Sequence, residues 1–332
     1  MNKKVGILGA QNPLALREKS KAYIESNGLS ADILTMPTRN LGDFKEQLTE
    51  YDALITCGEK VPGEAIQYLA GHKLKLISRC GVGTDEMDKA QATASGVAVC
   101  NAAGSLSTTV AECAMGLIIN TMRDFVNADK DVRKGDWSKF FESKTSNQLE
   151  GKTVGLIGYG DIAVALSKML LGFDVKVMAC DIHFNHEAAD KYHVIESDAD
   201  TIIRESDVIS LHVPLTTETA AMVNKEFLKK MKNTAVLINT ARGKLVDEQA
   251  LAEALQTGEI RAAGLDVFCQ EPLPTDSPLI PLKNVVLLPH NGSGTEEALM
   301  RVNAISAKNA VDFLNGRPVP TILNPDYIRH VK

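Results

Sequence analysis

The stretch Lys152-Thr-Val-Gly-Leu-Ile-Gly158-Tyr-Gly160-Asp-Ile-Ala163 decides the fold. An apolar run, Val154–Ile157, leads straight into Gly-x-Gly-x-x-Ala and then into a helical pattern, Val164–Leu171. In that context Gly158 makes the tight turn, Gly160 lets backbone approach a pyrophosphate, and Ala163 permits close helix–strand packing. Amides at the start of the helix then face the phosphates, and the helix dipole favours their charge. The next apolar run, Val175–Cys180, ends at Asp181. A carboxylate about 20 residues past the loop meets the 2′- and 3′-hydroxyls of an adenine ribose. The same charge repels a 2′-phosphate, so NAD is expected rather than NADP. Asp161 lies beside the proposed pyrophosphate, and its side chain is expected to point away.

Outward from this loop, short β-rich runs alternate with helical stretches along the chain. Val5–Leu8, Asp32–Met36, Ala53–Cys57, Leu74–Ser78 and Val97–Cys100 form one series. Val154–Ile157, Val175–Ala179, Val208–Val213, Ala235–Asn239, Ala262–Val267 and Val285–Leu288 form a second. Alternation of this kind predicts βαβ units and parallel sheets. Ser107–Lys134 reads as one long helix between the two series. Thr295–Asn315 reads as another, stopped by Gly316 and Pro318. The few residues after it are expected to return to the first domain. The expectation is an α/β protein with two doubly wound parallel-sheet domains. A Rossmann dinucleotide-binding domain (102–295) is inserted into a smaller flavodoxin-like substrate domain (1–101 and 296–332).

Length agrees with two domains, since 332 residues at about 150 per domain give roughly that number. With 44% hydrophobic and 23% charged residues, disorder and fibrous repeats are excluded. Lys and Arg number 36 against 42 Asp and Glu, a net charge of −6, so no broad footprint for nucleic acid or an anionic membrane is offered. Six scattered cysteines without a Cys-x-x-Cys pair read as free thiols in a reducing, cytoplasmic setting. No secretory signal or apolar run of membrane-spanning length is read. His183, His186 and His193 cluster near Asp181, but their spacing fits no usual zinc pattern, and no metal is expected.

Three further segments fall at the carboxyl ends of strands in the second series, where open α/β sheets place ligands. They are Ile238-Asn-Thr-Ala-Arg242-Gly243, Leu265-Asp266-Val-Phe-Cys-Gln-Glu271-Pro272 and Leu288-Pro-His290-Asn-Gly292. Singly, each has a bland reading as a surface ion pair, a turn or a polar strand terminus. Their convergence on one sheet edge, beside a nicotinamide-type cofactor, reads as a functional set.

With Ser78-Arg-Cys-Gly-Val-Gly-Thr-Asp85, Thr109-Val-Ala-Glu112, Leu211-His-Val-Pro-Leu215 and Gly264-Leu-Asp-Val-Phe268, these segments give the chain its likeness. It resembles the NAD-dependent D-2-hydroxyacid dehydrogenases from about residue 50 to about 315. The resemblance implies Arg242, Glu271 and His290 as the catalytic trio. Arg242 and His290 would bind the substrate, a small 2-hydroxy or 2-keto acid. The chemistry suits them: a guanidinium anchors a carboxylate and polarises a carbonyl, and a carboxylate-backed imidazole delivers the proton. The likeness also implies backbone of Val82 and Gly83 on the substrate carboxylate. It places Asp161, Ile162, Val213, Pro214, Thr240, Ala241, Asp266, His290 and Gly292 around the cofactor. His212 lies beside the same pocket, with a structural role at the strand end an equal reading. A homodimer through the long helix Ser107–Lys134 is implied as well, and Trp137, the only tryptophan, reads as a residue at a subunit contact. Departures are Ala163 for a third glycine, Asp161, the run Asn291-Gly-Ser-Gly-Thr295, and Leu106 where phosphoglycerate enzymes commonly carry a polar residue. Two alternatives stay open: a formate-type dehydrogenase, against which Glu271 speaks, and an NADH-sensing corepressor-like interaction protein on the same fold.

Overall fold

The computed structural model describes residues 3–9, 12–36, 38–138 and 146–331. The chain divides into two compact units, Met1–Leu106 with Gly294–Lys332, and Ser107–Ser293.

In the first unit, β1 (Lys4–Ile7), β2 (Ser30–Ile33), β3 (Ala53–Thr56), β4 (Leu76–Arg79) and β5 (Ala98–Cys100) form a parallel sheet of order β2-β1-β3-β4-β5. That is the flavodoxin-like order. Strands covered on both faces read as continuous apolar runs, and Ala53, Leu54 and Ile55 are all buried. Helix Glu296–Leu314 sends Val302, Ala307, Ala310, Val311 and Leu314 into the same core as Val5, Ala53 and Leu76. Its N-cap is Thr295, whose side chain accepts from the Ala298 amide at 3.2 Å. Beyond it the chain runs back along β5: Leu323 N–H donates to Val99 O, and Asn324 Oδ1 accepts from the Val99 amide, both at 2.8 Å.

In the second unit, β6 (Thr153–Ile157), β7 (Lys176–Cys180), β8 (Val194–Glu196), β9 (Val208–Leu211), β10 (Val236–Asn239), β11 (Ala262–Leu265) and β12 (Val285–Leu287) are also all parallel. Their order is β12-β11-β10-β9-β6-β7-β8. Read from β8, this is the doubly wound dinucleotide-binding order, reversing between β6 and β9. Helix Glu248–Thr257 starts on the Asp247 side chain, which caps the amides of Gln249 and Ala250, and stops at Gly258 with φ +73°.

Local differences from the expectations have physical causes. The stretch 107–134 is not one helix: Ser107–Arg123 and Phe125–Arg133 are separated by Asp124, in a left-handed conformation with φ +57°. Gly116, the expected weak point, sits inside the first of them. β4 starts two residues late because Leu74 is held in the preceding turn, its amide on Leu69 O at 3.2 Å. β8 had no counterpart in the apolar pattern, since Ile195 and Glu196 of its three residues are exposed. Among the described residues no helix is long and apolar enough to cross a membrane.

Candidate active site

β6 delivers Gly158 at φ +96°, where a side-chain carbon would lie 2.7 Å from the His212 carbonyl carbon. Only glycine fits that turn. Its amide donates to Cys180 O at 2.9 Å, tying the loop to the end of β7. Tyr159 fills the turn from below, fully buried and stacked on Phe184 with ring centroids 5.0 Å apart. Gly160 is the N-cap of helix Asp161–Leu170, and no side chain caps that end. The first amides of the helix, Asp161 and Ile162 included, therefore face outward for an anion. A carbon added to Gly160 would meet nothing within 4 Å, so the space above the loop is open. The Asp161 side chain is exposed, and Ala163 is wholly buried, as close helix–strand packing requires.

Asp181 stands directly beyond β7. Its Oδ2 accepts from the Tyr159 amide at 2.6 Å and its Oδ1 from the His183 amide at 2.8 Å, which fixes the carboxylate beside the glycine turn. Across the sheet, Val213 and Pro214 follow β9. His212 hydrogen-bonds Ser210 Oγ through Nε2 at 2.9 Å, and burial pushes its pKa down to about 4. That is the structural reading of His212: a neutral imidazole at a strand end.

The loops after β10, β11 and β12 leave one edge of the sheet, as the pairings Asn239↔Leu265 and Leu265↔Leu287 require. Asn239 folds the first: its Oδ1 accepts from the Ala241 amide at 3.0 Å and its Nδ2 donates to Arg242 O at 2.9 Å. Arg242 Nη1 donates back to Ala241 O at 2.7 Å. Thr240 is buried, and its hydroxyl has no hydrogen-bond partner among the described residues. Gly243 lies so close to the β11 loop that an added carbon would fall 1.9 Å from the Phe268 carbonyl carbon.

In that second loop Glu271 Oε1 accepts from the Phe268 amide at 3.0 Å, and Oε2 meets His290 Nδ1 at 2.6 Å. His290 has φ +52°, an uncommon conformation for a residue with a side chain. Asp266 imposes it. Its backbone carbonyl accepts from the His290 amide at 2.8 Å, while its carboxylate takes the Asn291 and Gly292 amides at 2.7 and 2.8 Å. Burial raises the pKa of that carboxyl, and the two amides oppose the rise. The sequence placed Asp266 near the cofactor; its hold on three successive amides, and the Asn239 turn, went unread. Both are polar residues at the mouth of apolar strands, which was the available signal.

Val82 and Gly83 lie in the first unit, in the loop after β4. Val82 O accepts from Asn101 Nδ2 at 2.8 Å and Gly83 O from Arg79 Nε at 3.1 Å.

The cradle at Gly158, the open space over Gly160, the fixed Asp181 and the orphaned Thr240 hydroxyl suit a dinucleotide running from β7 to β10. The comparisons agree. A family model described as D-isomer specific 2-hydroxyacid dehydrogenase, NAD binding domain, matches residues 115–292. A glyoxylate reductase of Thermofilum pendens is 40% identical over 306 residues, 90% of each chain. A hydroxypyruvate reductase of Thermotoga maritima is 41% identical over 259 residues, 77% of this chain and 82% of that one. The crystal structure of D-lactate dehydrogenase with NAD+ from Lactobacillus jensenii superposes with a TM-score of 0.80 at 28% identity, covering 96% of this chain and 99% of that one.

Proposed function

Because the chain belongs to the D-isomer specific 2-hydroxyacid dehydrogenase family, and so is an NAD-dependent oxidoreductase, we propose that it interconverts a small 2-keto acid and its D-2-hydroxy acid through Arg242 and the Glu271–His290 pair. The 2.6 Å contact between His290 Nδ1 and Glu271 Oε2 carries this reading. With Nδ1 held by the carboxylate, the ring is fixed in orientation and Nε2 is the nitrogen that carries the transferable proton. Arg242 presents a planar, permanently charged fork to the substrate carboxylate and C2 oxygen. The amides of Val82 and Gly83 are assigned to the same carboxylate.

NADH, when bound, supplies the hydride for C2. The residues to hold it are Gly158, Gly160, Asp161, Ile162, Asp181, Val213, Pro214, Thr240, Ala241, Asp266, His290 and Gly292. His290 gives its proton to the C2 oxygen as that oxygen becomes a hydroxyl, and recovers it from solvent; in the oxidative direction it takes the proton instead. Glyoxylate and hydroxypyruvate, named in the relatives, are the first substrates to test.

A cytoplasmic homodimer completes the reading. All six cysteines are free thiols. Helix Phe125–Arg133 buries none of its residues within the chain, and Phe125, Val132 and Trp137 are 50%, 49% and 60% exposed, an apolar surface suited to a second copy.

The test is NADH oxidation with glyoxylate, hydroxypyruvate, pyruvate, 2-ketoisocaproate, phenylpyruvate and 3-phosphohydroxypyruvate. Turnover of at least one, lost in Arg242→Ala while NADH still binds, is expected. NADH binding with no oxidation by any of them would overturn the assignment and favour a cofactor sensor.

A further inference from the structure

Three consecutive carbonyls in the loop after β4 are each held by a separate donor. Gly81 O accepts from the Ala102 amide at 2.9 Å, Val82 O from Asn101 Nδ2 at 2.8 Å, and Gly83 O from Arg79 Nε at 3.1 Å. In a trans peptide the carbonyl and the next residue's N–H point in opposite directions. Pinning Gly81 O therefore aims the Val82 N–H away from Ala102, and pinning Val82 O aims the Gly83 N–H away from Asn101. Among the described residues neither of these amides finds a hydrogen-bond acceptor. Val82 is 38% exposed and Gly81 has φ +147°, so two adjacent N–H groups are left outward and available to an anionic acceptor.

The two side chains that set this geometry are themselves fixed. Asn101 is buried; its Oδ1 accepts from the Ala103 amide at 3.2 Å, and its backbone carbonyl from Asn309 Nδ2 at 3.0 Å. Arg79 is half-buried, and its Nη1 also reaches Thr56 O and Cys80 O at 3.4 Å. It makes no ion pair among the described residues, so its charge is not neutralised by a carboxylate contact. The guanidinium thus braces the loop from behind and adds a positive field to the amides in front.

We infer that Arg79 and Asn101 are positioning residues for substrate. They touch no reacting atom but orient the Val82 and Gly83 amides on the carboxylate of the 2-keto acid, and Arg79 adds charge. This rests on the function proposed above.

The experiment compares the full-length wild type with Asn101→Ala, Arg79→Met and Arg79→Lys. Steady-state kinetics with the best keto acid are read beside NADH affinity, thermal midpoint, and binding of oxamate to the NADH-loaded protein without turnover. Asn101→Ala and Arg79→Met should each raise KM and weaken oxamate at least tenfold, with kcat within threefold and NADH affinity unchanged. Arg79→Lys, which keeps the charge and one donor, should recover part of the loss. An unchanged KM and oxamate affinity overturns the inference. So does a parallel fall in kcat, NADH binding and thermal midpoint, the mark of a merely structural role. A wild type that binds oxamate through these residues but reduces no keto acid would refute the proposed function and leave the anion site standing.

Discussion

Gly243→Ala is the sharpest probe of how the catalytic loops are held together. The added carbon would fall 1.9, 2.0 and 2.4 Å from the carbonyl carbon, oxygen and Cα of Phe268, against 3.4 Å for ordinary contact. All three obstacles are backbone, so no rotamer change relieves them. The Arg242 loop and the segment leading to Glu271 must separate by about 1.5 Å at the nearest pair. Overpacking of this kind costs up to about 3 kcal/mol, and the rigid partner puts this site at the upper end. The kinetic cost follows from geometry: misplacing catalytic groups by 1 Å can cost about 10²-fold. We expect kcat for the best keto acid to drop about 10²-fold. NADH affinity should fall far less than kcat, because the Gly158 cradle and Asp181 are built on other strands and only the nicotinamide-side residues Thr240, Ala241, Asp266, His290 and Gly292 lie on or beside the separated loops. Stopped-flow NADH oxidation, NADH fluorescence titration and urea unfolding measure the three quantities. A kcat within twofold of wild type would refute the claim that close approach at Gly243 sets the spacing of Arg242 and the Glu271–His290 pair.

Gly160→Ala makes the opposite test: with nothing within 4 Å of the added carbon, urea stability should stay at the wild-type value while NADH affinity falls at least fivefold. Unchanged affinity in a titration would mean that the pyrophosphate does not lie over this loop. Asp181→Ala should narrow the preference for NADH over NADPH at least tenfold in kcat/KM, and an unaltered ratio would remove Asp181 from the ribose. Glu271→Gln should lower kcat between about 10- and 10²-fold, through loss of the carboxylate that holds His290 Nδ1 and orients the ring, with little effect on NADH binding; full activity would disprove the pairing. His212 titrates at 6.5 when unfolded and at about 4 in the native chain, so the unfolded state binds the extra proton first. Stability should therefore fall as pH drops from 6.5 towards 4, by at most about 3 kcal/mol. His212→Gln should flatten that slope in urea midpoints measured across the interval.

Much of the architecture is carried by local pattern. The glycine turn before helix Asp161–Leu170 is one case, and Asp247 and Gly258 bracketing helix Glu248–Thr257 is another, because turn geometry and capping are decided within a few residues. The break at Asp124 left no such trace, since aspartate is ordinary in a helical pattern. Three-residue β8, with two of its residues solvent-facing, is too short for periodicity to register. At the site, residue types at strand ends could be read, but their contacts could not. Gly243 matters because of Phe268, Asp266 because of residues 290–292, and Asn101 because of Val82; each pair meets only once the sheet has formed.

The return of residues 319–324 along β5 bears on how the chain is made. On the ribosome, the middle unit can complete its sheet while the N-terminal segment still lacks Glu296–Leu314 and the strip that seals β5. At about 5–20 residues per second, that edge waits roughly 10–40 s after its own synthesis. Throughout that interval the nascent N-terminal segment shows an apolar face and an open strand edge, the surfaces through which incomplete chains aggregate. Any stall or truncation in the last helix would leave a finished nucleotide-binding unit tethered to an unfinished one.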